Sequence, residues 1–298
     1  MSHTPRTIEA TLVLDAKATL GEGALWHPSE KVLYWIDIEG RKLHIFNPPT
    51  KEDKELTVRE RIGTVVPVAG GGALVALQNG IHKIDTTTGD LTFITNPIKE
   101  KDIRFNDGKC DPAGRFWVGT MALDTRKGAA VLYRMEADKR IEQVLDNLTI
   151  ANGIVWTKDK KQMYFTDTRT QQVQAFDYNN ETGMISNGRV VIEVPKSEGS
   201  PDGMTIDAED KLWIALHKGG AVGCWDPETS ELLTKVTVPA PQTTSCAFGG
   251  EDLDTLYITT AREGLDEKQL QQYPGSGGIF AVKPGAKGVP ASFFKGNV

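Results

Sequence analysis

Four oxygen-bearing side chains recur along the sequence, each just before a stretch with strand character: Glu22, Asn106, Asn152 and Asp202. Each is followed within two residues by a glycine and then, directly or (after Asn106) beyond a short polar stretch, by apolar residues of the kind that fill strands. If the four occupy equivalent positions of a repeated unit, they form one cluster of two carboxylates and two amides. Hard divalent cations prefer such oxygen ligands, and neighbouring carboxylates without a cation repel each other. The pattern therefore predicts a divalent-cation site.

The alternative is that each of these residues only caps a strand or a turn, as Asn-Gly and Asp-Gly pairs commonly do. Their recurrence in one register favours the cation. No His or Cys shares that register, which argues against a structural zinc site. Beside a bound metal, Asp202 is a candidate general base that takes a proton from water. No Gly-x-Ser-x-Gly nucleophile motif is present.

Arg104 precedes Asn106 by two residues, so strand alternation places both side chains on the same side. A guanidinium in that position is suited to hold an anionic or hydroxylated substrate. The competing interpretation is a solvated surface arginine.

The spacing of the polar residues indicates the fold. Repeats begin near Glu22, Pro67, Asn106, Asn152, Asp202 and Thr244. Their separation of ~40–50 residues is the period of a four-stranded propeller blade. We predict an all-β fold: one six-bladed β-propeller domain of four-stranded blades spanning residues 1–298. Two β-sandwich domains are the alternative. Residues 7–14 are expected to join the last repeat's sheet, so that N- and C-terminal strands close the ring, and residues 265–273 form a short helix or a loop.

Composition limits the partners and the compartment. The formal net charge of −6 provides no basic surface for nucleic acid. No apolar run has membrane-spanning length, and no secretory leader is apparent near the N-terminus. The 3 cysteines form no Cys-x-x-Cys pair, which favours a reducing compartment. The expectation is a cytoplasmic monomer or small homo-oligomer that acts on a small molecule and contacts neither nucleic acid nor membrane.

Several runs resemble the regucalcin/gluconolactonase family, also called the senescence marker protein family, over almost the full length. These runs are residues 20–23 (LGEG), 104–109 (RFNDGK), 111–115 (DPAGR), 119–122 (GTMA), 152–153 (NG), 200–204 (SPDGM), 243–250 (TTSCAFGG) and 277–280 (GGIF). The last two are closest to the regucalcin branch. The resemblance implies a six-bladed propeller, in agreement with the repeat spacing.

The resemblance also implies roles for the polar residues. A single divalent metal ion (Ca²⁺, Zn²⁺, Mn²⁺ or Mg²⁺) is expected on Glu22, Asn152 and Asp202. Arg104 and Asn106 are expected to contact the substrate, and Asp202 is expected to act as the general base of lactone hydrolysis. The pattern of residues alone does not rank Asn106 as a substrate contact over a metal ligand.

Two departures from the family concern the pocket. Asp124 stands where regucalcins carry a Glu, and the loop beyond it, residues 125–128, is several residues shorter than in vertebrate members. Asp124 is expected to be a further substrate contact. The side chains of His217 and Lys218 also differ from those of vertebrate members, so sugar selectivity does not transfer.

The resulting hypothesis is a metal-dependent lactonase. It would hydrolyse a sugar lactone, an aldonolactone such as gluconolactone, to the aldonic acid, with the carbonyl polarised by the metal and water activated by Asp202. Three alternatives remain open. They are a calcium-binding regulatory protein without essential turnover, an organophosphate-ester hydrolase, and a propeller that serves as an interaction platform.

Overall fold

Six β-sheets surround a central channel in the computed structural model, which describes residues 4–298. In each sheet the chain runs outwards from the channel through three or four successive antiparallel strands, and the innermost strands of neighbouring sheets contact each other around the ring. The predicted six-bladed propeller of four-stranded blades is confirmed. The sandwich alternative is wrong, because sandwich sheets pack in face-to-face pairs rather than around an axis.

The strands are numbered in chain order. The chain begins with β1 (Arg6–Glu9) and β2 (Thr11–Leu14). Blades one to three contain β3 (Gly21–His27), β4 (Val32–Asp37), β5 (Lys42–Asn47), β6 (Glu52–Thr57); β7 (Ile62–Pro67), β8 (Ala73–Leu77), β9 (Gly80–Ile84), β10 (Leu91–Thr95); and β11 (Ile103–Cys110), β12 (Phe116–Ala122), β13 (Ala130–Met135), β14 (Ile141–Leu148). Blades four to six contain β15 (Ala151–Trp156), β16 (Gln162–Asp167), β17 (Gln172–Tyr178), β18 (Ile185–Glu193); β19 (Ser200–Ile206), β20 (Leu212–His217), β21 (Ala221–Trp225), β22 (Leu232–Thr237); and β23 (Thr243–Gly249), β24 (Thr255–Thr260), β25 (Ile279–Val282).

Ring closure uses both chain ends, in a different way from the prediction. Strand β2 pairs antiparallel with β25 and completes the sixth blade, as expected. Strand β1 instead pairs in parallel with β22, on the outer edge of the fifth blade. The chain changes blade at Ala10, which is buried in the apolar seam and donates its backbone NH to the carbonyl of Thr237 at 2.9 Å. The expectation that residues 7–14 form one strand of the last sheet was therefore half wrong.

Apolar side chains fill the seams between neighbouring blades. One cluster joins Tyr34 of blade one to Val75 of blade two, and another joins Trp213 of blade five to Phe248 of blade six. The nearly continuous apolar runs in the inner strands arise because these strands are buried on both faces. Each sheet packs against a neighbouring sheet on either side. The seams hold the innermost strands in fixed positions around the channel.

The second repeat begins earlier than predicted. Pro67 ends β7 rather than opening the repeat, and the Gly-rich turn of residues 70–72 follows it. Proline has no backbone NH to donate, which suits a strand end. The short helix expected near residues 265–273 is confirmed as α1 (Glu267–Gln272), with Asp266 as its N-cap. No helix within residues 4–298 is long and apolar enough to cross a membrane.

The C-terminal segment, residues 284–298, runs across the face of the ring at which the innermost strands end; we call it the C-terminal strap. The backbone NH of Gly288 donates to Leu253, that of Phe294 to Pro67, and that of Lys295 to Gly114. The Phe294 side chain is fully buried. The strap therefore ties blades six, two and three together on that face.

Candidate functional site

Every innermost strand is irregular near its start, at the level of the predicted polar residues. The pairing register with the second strand shifts within Glu22–Leu25, Ile62–Thr64, Phe105–Gly108, Ala151–Ile154, Pro201–Met204 and Thr243–Ser245. Such β-bulges bend a strand and change the direction in which its side chains point. They bring the side chains of several blades to one end of the channel.

Glycines permit these bulges. Gly23, directly after Glu22, has φ +61°, a left-handed conformation that favours glycine. At Gly153, directly after Asn152, an added Cβ would lie 2.7 Å from the carbonyl oxygen of Asp202. Blades four and five thus approach each other more closely there than any larger residue would allow.

Two buried carboxylates at the ends of second strands fix the approach to the site. Asp37 accepts hydrogen bonds of 2.9 and 3.0 Å from two backbone NH groups just ahead of Glu22. Asp167 does the same just ahead of Asn152, with two bonds of 2.9 Å. The same device therefore holds the first and fourth blades, so the two site residues start from equivalent backbone positions.

A cavity of about 640 Å³ lies at this end of the channel, and we call it the site cavity. Its lining includes Glu22, Arg104, Asn106, Asn152 and Asp202. All five side chains are buried, with exposed fractions between 4% and 8%. The structure thus brings together five of the six predicted site residues, and Arg104 lies beside Asn106 rather than on the outer surface.

Asp124, the sixth, is not brought to the cavity lining. Its side chain is 63% exposed and lies 3.2 Å from the guanidinium of Arg126. Its neighbour Thr125 lines the cavity instead. The role of Asp124 as a substrate contact stays a prediction.

Hydrogen bonds distinguish the two asparagines. The Asn106 side-chain oxygen accepts from Arg104 Nη1 at 2.8 Å, and its Nδ2 donates to the carbonyl of Ala151 at 2.9 Å. Asn152 donates Nδ2 to Thr168 Oγ1 at 2.9 Å, which leaves its Oδ1 buried without a partner within residues 4–298. Asp202 Oδ1 is likewise buried and unpartnered in that part of the chain. Two of the three residues expected to hold a metal, Asn152 and Asp202, therefore have an unpartnered buried oxygen, while the Asn106 oxygen is taken by Arg104.

The ionised forms of the site carboxylates are disfavoured by burial and, for Glu22 and Asp202, by neighbouring negative charge. Burial and the charge of Asp107 raise the pKa of Glu22 to about 8. Burial and the charge of Glu22 raise the pKa of Asp202 well above its usual range, and burial also raises that of Asp107. Desolvation disfavours the ionised form, and the nearby charges of Arg104 and Lys109 offset it only in part. Bound cations relieve this cost, so the three acids form a site suited to positive charge.

Sequence reasoning missed Asp107, which is buried and has one carboxylate oxygen without a partner in the described chain. Alternation along β11 assigns Asn106 and Asp107 to opposite faces, but the bulge between Phe105 and Gly108 breaks that alternation. The run Asn106-Asp107-Gly108 was the available signal for an irregularity at this position. Glu263, which also lines the site cavity, was missed because it follows β24 outside the repeated register.

A second cavity, of about 380 Å³, lies at the opposite end of the channel under the C-terminal strap. It shares no lining residue with the site cavity. Lys109 lines it and donates its Nζ to the carbonyl of Met204, so the side chain reaches from blade three to blade five. The lysine thereby crosses the channel.

A separate group capable of holding a metal lies on the outer strands of blade one: His44, Asp53 and Glu55. His44 Nδ1 is 2.7 Å from Asp53 Oδ2, and Glu55 pairs with Lys42 at 2.5 Å. These acids already have partners, unlike the free oxygens of the site cavity. None of the three residues lines that cavity.

Fold and site together define a class of protein: a six-bladed propeller with buried carboxylates, free amide oxygen and a fixed arginine at one end of its channel. Residues 20–262 match the model of the family described as "SMP-30/Gluconolactonase/LRE-like region". The chain belongs to this family. The resemblance carried by the sequence runs is thereby confirmed.

Individual relatives match over nearly their whole lengths. The Bacillus subtilis (strain 168) protein named "Putative sugar lactone lactonase YvrE" is 36% identical over 98% of this chain and 100% of its own. Regucalcin of Danio rerio is 37% identical over 97% and 99% of the two chains. The crystal structure of a calcium-binding protein, regucalcin, from Agrobacterium tumefaciens superimposes with a TM-score of 0.93, at 26% identity over 98% and 99% of the chains. Family and relatives point to a regucalcin- or gluconolactonase-type lactonase.

Proposed function

We propose that this protein is a divalent-metal-dependent lactonase that hydrolyses a sugar lactone to the aldonic acid. The observation that carries the proposal is the pair of buried, unpartnered oxygens, Asn152 Oδ1 and Asp202 Oδ1, beside a cavity of about 640 Å³. Buried polar atoms normally have partners, so unpaired ones that face a cavity call for a ligand. The relative named as a putative sugar lactone lactonase supports the same reaction.

Glu22, Asn152 and Asp202 fit a hard divalent cation, because they offer only oxygen donors and two of them carry charges that repel each other. Three side chains supply fewer oxygens than the roughly six to eight that calcium takes, so water or substrate completes the shell. Weak, exchangeable binding follows. When bound, the ion supplies Lewis acidity to the lactone carbonyl and to water.

The protein's own groups then have separate tasks. Arg104 is held by the Asn106 oxygen at 2.8 Å, which supports assigning to these two residues the orientation of the sugar hydroxyl groups. Asp202 accepts the proton of the attacking water. That water adds to the carbonyl carbon; the lactone C–O bond then breaks, and the ring oxygen leaves as a hydroxyl after taking the proton back from Asp202.

The test is hydrolysis of aldonolactones followed with a pH indicator, before and after removal of metal by a chelator. Activity is expected to vanish with the chelator and to return with more than one divalent ion, since three protein ligands leave the rest of the coordination shell to exchangeable water or substrate. Full activity of the metal-free protein would overturn metal dependence. Absence of lactone hydrolysis with every metal would overturn the lactonase itself.

A second candidate is a calcium-binding protein without essential turnover. It is favoured by the relatives named regucalcin and by the structure described as a calcium-binding protein. The two functions separate in one measurement series. Calcium binding seen by calorimetry together with absence of hydrolysis of any lactone favours the binding protein, whereas turnover with calcium favours the enzyme.

A further inference from the structure

Three cations line the mouth of the site cavity: Arg169, Lys196 and Lys218. All three are exposed, and we call them the cationic rim. Arg169 lies in the short turn of helix after β16, Lys196 lies between β18 and β19, and Lys218 directly follows β20. They therefore occupy one arc of the mouth, formed by the fourth and fifth blades.

Acids on the loops around the rim are already paired with other cations, and Glu263, the third acid of the cavity lining beside Glu22 and Asp202, follows β24 of the sixth blade. Glu198, two residues after Lys196, binds Lys235 at 2.6 Å. Asp102 and Asp124 both bind Arg126. Among residues 4–298, no carboxylate lies within 4.0 Å of a rim nitrogen. The rim is thus a patch of about three uncompensated positive charges on a protein whose net charge is −6.

The rim is held in place by contacts between blades. Arg169 donates to Thr125 Oγ1 at 3.0 Å, which links it to the third blade. Gln171 donates to the carbonyl of Gly199 at 2.9 Å and so braces the segment that carries Lys196. An added Cβ on Gly199 would lie 2.8 Å from the backbone nitrogen of Gly219. The loops that carry Lys196 and Lys218 therefore pack backbone against backbone.

The opposite charges lie deep in the same cavity. The buried acids Glu22 and Asp202 are matched to a cation and to the reacting carbonyl, not to the far end of a substrate. A neutral lactone bound there leaves the rim without a counter-charge. The cavity volume, about 640 Å³, also exceeds what a single sugar ring fills.

We propose that the cationic rim selects sugar lactones that carry a second, negatively charged group, a phosphate or a carboxylate, at the end remote from the lactone carbonyl. This inference rests on the proposed lactonase function and names its substrate class. Charges at a cavity mouth raise the rate of encounter with an oppositely charged ligand, and salt weakens the effect because the charges are exposed.

The experiment compares three lactones on the metal-loaded protein: gluconolactone, gluconolactone phosphorylated on its last carbon, and glucarolactone, in which that carbon is a carboxylate. At low ionic strength, kcat/KM for an anionic lactone is expected to exceed that for gluconolactone by at least about tenfold. The advantage should shrink as salt is added. A preference for the phosphate or for the carboxylate identifies which anion the rim takes.

The variants Arg169→Gln, Lys196→Gln and Lys218→Gln, singly and combined, should bring the ratio of anionic to neutral kcat/KM towards one. Lys158→Gln and Lys160→Gln are matched controls, because these exposed lysines line the second cavity instead. The controls should keep the ratio of the unmodified protein. Equal kcat/KM values for all three lactones, or a ratio that the combined variant leaves unchanged, would overturn the inference and leave the lactonase standing.

A binding measurement keeps the inference testable if no lactone is hydrolysed. Calorimetry with phosphogluconate and with gluconate should show tighter binding of the phosphorylated acid, lost in the combined rim variant. Equal affinity of the two acids would reject the rim as an anion site. Failure of hydrolysis alone rejects only the proposed function.

Discussion

Asp202 has two tasks in the proposed reaction, as metal ligand and as proton acceptor, and the two separate by substitution. Asp202→Asn keeps an oxygen near the metal but removes the base, whereas Asn152→Ala removes only a ligand. Excess divalent metal is expected to rescue the Asn152 variant and not the Asp202 variant, with kcat of the latter reduced by about 10²–10⁴-fold. Hydrolysis assays over a metal titration provide the measurement. Substantial rescue of Asp202→Asn would assign the base role elsewhere.

His217 lines the site cavity and is largely buried. Burial, with the neighbouring charge of Lys218, lowers its pKa from 6.5 to about 4. Between pH 6.5 and about pH 4, His217 is protonated in the unfolded chain but neutral in the folded protein. The contribution of neutral His217 to the free energy of unfolding is therefore lost as the pH falls through this window.

The variant His217→Asn cannot take up that proton. Between pH 6.5 and 5 the native protein should lose roughly 2 kcal/mol more unfolding free energy than the variant does. Urea unfolding at both pH values measures the difference. Parallel losses in the two proteins would contradict the shifted pKa of His217.

At the scale of the strand, the bulges position the site residues, and a substitution at Gly153 tests this role. A methyl group there would meet the Asp202 carbonyl oxygen at 2.7 Å and the Met204 side chain at 2.8 Å. Gly153→Ala should therefore cost about 1–3 kcal/mol of unfolding free energy and reduce lactone hydrolysis, because blades four and five are forced apart.

Gly70→Ala is the matched control, since an added Cβ at Gly70 has open space around it. Its urea midpoint and its activity should stay close to those of the unmodified protein. If Gly153→Ala behaved like Gly70→Ala, the close approach of the two blades would not be what places Asp202.

The bulges also explain how far the sequence predicts the site. Glu22, Asn152 and Asp202 were identifiable because each precedes a glycine and an apolar strand, a pattern that repeats with the blade. Asp107 was not, because its burial depends on a bulge that breaks strand alternation. The glycine after Asp107 marks the position, but the bulge itself arises from pairing between strands, which the local sequence does not specify.

The rest of the fold shows the same division between local and long-range information. The repeat spacing predicted six blades, but Pro67 was placed at the start of a strand that it ends, since the second repeat lacks the polar residue that marks the others. The parallel pairing of β1 with the fifth blade joins residues more than two hundred positions apart, and the sequence carries no periodic pattern for it.

At the scale of the whole ring, the two N-terminal strands contribute unequally. Strand β1 is a largely exposed addition to a blade that already has four strands, so removal of residues 1–9 should cost only roughly 1 kcal/mol. Removal of residues 1–14 leaves the sixth blade with three strands and a free edge on β25, which should cost more than about 3 kcal/mol and promote aggregation.

Urea unfolding and light scattering of the two truncated proteins measure these effects. The shorter truncation is the control for the longer one, because both remove β1. Equal stability of the two proteins would mean that β2 is not needed to close the ring.

Lys109 and the C-terminal strap obstruct the channel beyond the site cavity. The lysine spans the channel between the two cavities, and the strap covers the far end. Under the proposed function, a newly formed acid has to depart through the same opening by which the next lactone arrives, past the same three cations. The acid product therefore competes directly with the next lactone for the entrance of the site cavity, which admits one molecule at a time.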